Sequence, residues 1–155
     1  MQTYILAFFI GVVAGLRSLT PLAAVSWAAR LRLLHLGNTW LAFLGYVATP
    51  YIFTVLAIGE IINDKLPKTP SRKAPVPFAA RIVTGALSGA AIGTAANALI
   101  GGLILGIVGA VVGTLGGYEF RARLVRAIGG KDLPVALIED VIAVGAAIWI
   151  VALIP

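Results

Sequence analysis

The chain of 155 residues has no cysteine, a single histidine and only six acidic residues, and charged residues make up just 12% of it. Each scarcity excludes something. Without cysteine there are no disulfides, no thiolate nucleophiles and no cysteine-held iron–sulfur clusters. A soluble domain carries about 25% charged residues, so this chain has half the supply needed to cover a surface facing water. Apolar residues fill the deficit: 60% of the chain is hydrophobic, 18 residues are glycine, and the mean hydropathy is +1.02. At about 20 apolar residues per crossing, the chain reads as one all-α domain, a polytopic membrane bundle of about five helices. The net charge of +6 would suggest nucleic acid in a soluble protein; here it is a matter of which side of the membrane each loop faces, and no nucleic-acid partner is expected.

The apolar runs place spans at approximately 3–29, 39–63, 78–98, 102–120 and 134–154. Span two carries Thr49-Pro50 near its middle, where a kink is expected. The main polar loop, 66–77, holds four prolines among Lys68, Arg72 and Lys73, and Asn97 with Gly101-Gly102 marks the turn between spans three and four. Pro134 is well placed to start the fifth helix. With loops alternating sides, Lys65, Lys68, Arg72, Lys73, Arg121, Arg123, Arg126 and Lys131 oppose only Arg30 and Arg32. The basic side is then cytoplasmic, with the N-terminus inside, the C-terminus outside, and Trp27, Trp40 and Trp149 near the outer interface. The first run lacks a charged leading region and contains Arg17, which fits a retained helix and not a cleaved signal.

Five of the six acids, Glu60, Asp64, Glu119, Glu139 and Asp140, fall within or at the cytoplasmic ends of spans. Glu60, Asp64, Glu139 and Asp140 lie at similar depth, an arrangement suited to an ion or proton site in a shared cavity; charges snorkelling to headgroups are the simpler alternative. Arg17 lies deep in the first run, where an isolated charge costs ~3 kcal/mol or more. Its surroundings, Gly15 to Pro21, supply two hydroxyls, Ser18 and Thr20, and a helix breaker. They point to a discontinuous helix with Arg17 as intramembrane gate or counter-ion. Lys65, Arg72, Arg81 and Arg121 are candidates for binding an anion or lipid headgroup, although a cytoplasmic basic loop attracts anionic lipid without any specific site. There is no phosphate-cradling glycine loop, no zinc-type spacing and no Ser, His and Asp set. His35 sits in a polar turn, and neither an enzyme nor a cofactor is expected; any metal is undetermined.

Glycines 85, 89 and 93, and then 102, 106, 109, 113 and 117, recur at three or four residues and form glycine-rich faces. Such faces pack helices closely within one subunit or between copies, so a homo-oligomer is compatible. Gly11 to Leu16 resembles Ala110 to Leu115, which would fit an inverted repeat about span three.

At Gly15-Leu16-Arg17-Ser18-Leu19-Thr20-Pro21, Glu60-Ile61-Ile62-Asn63-Asp64-Lys65-Leu66-Pro67 and Thr69-Pro70-Ser71-Arg72, the sequence resembles a family of small bacterial membrane proteins known as domain of unknown function 4126. The resemblance covers nearly the whole chain. It implies a multi-pass protein of the bacterial cytoplasmic membrane and carries no established activity. A looser similarity links the acids to cation exchangers with a Glu, Gly, Asp, Lys/Arg signature, though here Glu60 and Asp64 are four apart and the glycine is missing. The leading expectation is a small-ion transporter or channel-like protein. The alternatives are binding or translocation of an anionic lipid or lipid-linked phosphate, and a structural assembly protein, with membrane lipids as partners in every case.

Overall fold

The computed structural model describes residues 1–155 and contains six α-helices and no strand: α1 Gln2–Leu16, α2 Leu19–Arg30, α3 Thr49–Asn63, α4 Pro75–Gly93, α5 Leu99–Ala127 and α6 Asp132–Ala152. Short 3-10 turns at Trp40–Gly45 and Thr94–Ala96 complete it. Proline marks the helix starts: Pro21, Pro50, Pro75 and Pro134 all stand in first turns, where the missing N–H would have had no acceptor within the helix. For this reason Thr49-Pro50 opens α3 and does not kink a longer span.

Three stretches, Pro75–Ala96, α5 and α6, are long and apolar enough to cross a membrane, the makeup of an integral membrane protein. The other apolar helices are shorter than the expected five full spans require. α1 and α3 have 15 residues each, about 22 Å at 1.5 Å per residue against a hydrocarbon core of about 30 Å. Gly101 and Gly102 lie inside α5; the turn before it falls at Asn97, which is left-handed (φ 52°). α5 continues to Ala127, with Arg121, Arg123 and Arg126 on its last turns and not in a loop.

The first apolar run departs most from expectation. It breaks at Arg17, whose backbone is extended (φ −139°, ψ 112°), and there the chain doubles back. Gln2 donates to the Leu153 carbonyl at 2.9 Å while Arg17 bonds Asp140, so α1 runs antiparallel to α6. Ser18 meets Glu60 and Trp27 meets Thr54, so α2 runs antiparallel to α3. Arg17 stands level with Asp140, and the α2 residues Thr20 to Trp27 that follow it line one cavity with Val144, Ala147 and Ile148, which follow Asp140, so α2 lies parallel to α6. α1 and α2 are therefore the arms of a hairpin with Arg17 at its tip. Gln2 and Leu153 share one end of the bundle, which corrects the expected placement of the two termini on opposite sides.

Glycine sets the packing of α1, α4 and α5. A side chain on Gly11 would overlap the Gly106 carbonyl, and one on Gly113 would overlap that of Val12. On the other face of α5, a Cβ at Gly89 would come within 2.8 Å of the Gly106 Cα. Backbones this close gain dispersion and weak contacts that no larger residue permits. Gly11 and Gly15 meet Gly106 and Gly113 in that order, so α1 and α5 are parallel. An inverted repeat needs those two segments to run oppositely, so their likeness is not one.

Candidate functional site

The broken first run leaves two helix ends facing each other, the last carbonyls of α1 and the first N–H groups of α2. Such ends carry partial charges of about −0.5 and +0.5. Each is met by an opposite charge from another helix. Arg81 Nη1 of α4 donates to the Gly15 and Leu16 carbonyls, both at 2.8 Å. Glu60 of α3 accepts from the Ser18 N–H at 2.7 Å, the Ser18 hydroxyl at 2.8 Å and the Leu19 N–H at 2.8 Å.

At the tip between them Arg17 is fully buried, with 0% of its surface exposed. Its Nε donates to Asp140 Oδ1 at 2.6 Å and its Nη1 bonds Asp64 Oδ2. Asp140 also takes the Lys65 ammonium, which donates in turn to the Ile61 carbonyl at 2.9 Å. Next to this core, Arg72 forms a two-pronged pair with Glu139, Nη2 to Oε2 at 2.6 Å. Arg121 pairs with Asp132 at 2.9 and 2.6 Å and reaches Glu139 at 3.2 Å. Lys73 lies 3.7 Å from Glu119 at the rim.

All six acids are thus engaged. The basic residues with no carboxylate within 4.0 Å are Arg30, Arg32, Lys68, Arg123, Arg126 and Lys131, and these account for the net charge of +6.

The paired charges wall a cleft of about 570 Å³ at the hairpin-tip end of the bundle. Arg72, Arg81 and Arg121 line it together with Ser18, Asn63, Thr69, Ser71 and Tyr118. Arg81 Nε is buried and has no partner. The prolines around it, Pro70 and Pro77, limit how far the loop can move.

The four carboxylates expected to form one ion or proton site fall into three settings. Asp64 and Asp140 share Arg17, Glu139 sits between Arg72 and Arg121, and Glu60 caps α2. Arg17 has its counter-ions, but Ser18 turns to Glu60 whereas Thr20 faces an apolar cavity on the far side of α2. Of the expected anion-binding set, Arg72, Arg81 and Arg121 reach the cleft; Lys65 turns instead to Asp140. The sequence does not single out Asp132, which follows Gly129-Gly130-Lys131 and reads as part of a hydrophilic turn. Its one visible signal is a first-turn position on a helix, where an acid is favoured. No three acidic or histidine side chains come together to hold a metal ion. No family model, no curated protein and no solved structure matches the chain.

Proposed function

We propose that this protein binds the phosphate-bearing headgroup of a membrane lipid in the cleft. The observation that carries this is the convergence of Arg72, Arg81 and Arg121 with four hydroxyls on one cleft, which Glu60, Asp64 and Asp132 also line. Guanidinium groups bind phosphate through forked, charge-assisted bonds, and hydroxyls complete the shell. Small-cation transport is less well supported, because a cation at Asp64, Glu139 or Asp140 has to displace Arg17, Arg72 or Lys65.

The proposal includes the family resemblance to domain of unknown function 4126, whose three motifs contribute Arg17, Glu60, Asp64 and Arg72 to this end of the bundle. It also includes orientation in a bacterial cytoplasmic membrane. The unpaired Lys68, Arg123, Arg126 and Lys131 lie at the cleft end and Arg30 and Arg32 at the other, so the positive-inside rule turns the cleft to the cytoplasm and Gln2 and Leu153 outward.

Native mass spectrometry of the solubilised protein, with dioctanoyl phosphatidylglycerol in one arm and inorganic phosphate in the other, tests the binding. A lipid adduct that falls about tenfold in Arg72→Gln, the worth of one charge-assisted contact, is the expected result. An adduct with phosphate alone assigns the site to a soluble phosphate and overturns the lipid headgroup. No adduct in either arm, or an equal one in the variant, overturns both.

A further inference from the structure

A second cavity, separate from the cleft, lies on the apolar side of α2. α3 and α6 both pack on α2, whose Thr20, Ala23, Ala24 and Trp27 form the floor of a groove of about 250 Å³. Its walls are Thr54, Ala57, Ile58 and Ile61 of α3 and Val144, Ala147 and Ile148 of α6. Small residues on the floor leave room that leucine or phenylalanine would fill.

Two side chains stand at the end of the groove. Lys65 lies two residues past the end of α3 and sets its ammonium on the carbonyl of Ile61, and stepping back four from Val144 on α6 gives Asp140. These two are ion-paired. A lysine ammonium has three protons, and Lys65 uses one on Asp140 and one on the Ile61 carbonyl, which leaves the third for another acceptor. Thr20 gives an independent sign. It is only 6% exposed, lines the groove, and its hydroxyl has no partner. As the second residue of α2 it has no helical carbonyl of its own four residues back, and the Leu16 carbonyl is taken by Arg81. An unpaired buried hydroxyl is costly, and a ligand acceptor at this depth would satisfy it.

We infer that the groove between α3 and α6 holds one acyl chain of an anionic phospholipid, with the ester oxygens at Thr20 and the phosphate at Lys65. An apolar trough ending in a hydroxyl donor and a cation has the polarity of such a lipid read from tail to head. The inference does not rest on the occupant of the cleft.

Trp27 on the groove floor provides the readout once Trp40 and Trp149 are replaced by phenylalanine. The protein is placed in phosphatidylcholine nanodiscs containing increasing amounts of phosphatidylglycerol brominated on its acyl chains. Quenching of Trp27 should saturate at a low fraction of brominated lipid. Lys65→Gln should raise the half-quenching fraction about tenfold and Thr20→Val about threefold, while Ala24→Phe, which fills the trough, should abolish saturation. Thr20→Val keeps the side-chain shape and so remains informative if Ala24→Phe disturbs packing. Quenching that grows in proportion to brominated lipid and is the same in Lys65→Gln and Thr20→Val means annular lipid only and overturns the site. So does equal quenching by brominated phosphatidylcholine. Loss of adduct in the cleft assay with this quenching intact removes the cleft proposal alone, and the reverse outcome removes this one alone.

Discussion

Glu60 holds the first turn of α2 through Ser18, taking both its backbone N–H at 2.7 Å and its hydroxyl at 2.8 Å on one carboxylate oxygen. The two residues are on different helices, so the cap that a helix start normally draws from its own sequence comes here from across the bundle. The negative charge also lies against the positive end of α2.

Glu60→Gln should therefore destabilise the protein by about 1–2 kcal/mol, since it keeps an acceptor but loses the charge and one oxygen. Glu60→Ala should cost more, with all three donors left open. Thermal unfolding in detergent and amide exchange at Ser18 and Leu19 measure this. Unchanged exchange at those two amides in the alanine variant would mean that Glu60 is not the cap.

Arg17 has no surface of its own and two carboxylate partners. Arg17→Met should cost about 3 kcal/mol, because Asp64 would keep only Arg81 at 4.0 Å and Asp140 only Lys65 to balance their charges in this largely buried setting. Adding Asp140→Asn should recover part of the loss, and a double-mutant cycle should give a coupling of about 1–3 kcal/mol. Additive single losses would show that the pair does not act as a unit.

Two classes of glycine should behave oppositely. At Gly106 an added methyl meets backbone on the Gly85 side, whereas nothing lies within 4 Å of a methyl at Gly145. Gly106→Ala should separate α4 from α5 and lower the melting temperature sharply. Gly145→Ala should raise stability by about 0.4–1 kcal/mol, through reduced freedom of the unfolded chain. Circular dichroism melts of the two variants make the comparison, and equal behaviour would remove close backbone contact as the reason for glycine here.

Because the chain has no native cysteine, single cysteines report sidedness directly. Gln2→Cys and Ile154→Cys should label from the same side of a sealed membrane, and Ser71→Cys from the other, as the hairpin at Arg17 demands. Opposite labelling of Gln2→Cys and Ile154→Cys would restore one continuous first span.

Much of the fold could be read from composition and punctuation. Pro134 marks the start of the last helix, the glycine intervals give the faces of α4 and α5, and Gly15 to Pro21 identifies the break in the first run, whereas Pro50 reads as a kink within a longer span and only the structure makes it the start of α3. The reversal at that break was hidden. The largely apolar run of 27 residues, 3–29, is long enough for one crossing, and nothing local distinguishes a break that bends from one that doubles back. The cap on α2 was hidden for a related reason, since its acceptor lies 42 residues away along the chain. Lys65 could be placed at the right depth, but its direction, toward Asp140 and not the cleft, depends on the rotation of α3 about its axis.

The sequence by itself determined the solvent: with so few charges and so many apolar residues, this chain needs lipid around most of its surface, and its acids and arginines must pair or stay wet. Only the tertiary structure decided which charges meet. Pairing across 47 residues between Arg17 and Asp64, or 123 between Arg17 and Asp140, depends on the direction each helix runs and the face it turns inward. Those are set by glycine contacts between helices, which follow from the packing of the whole bundle and not from any local stretch.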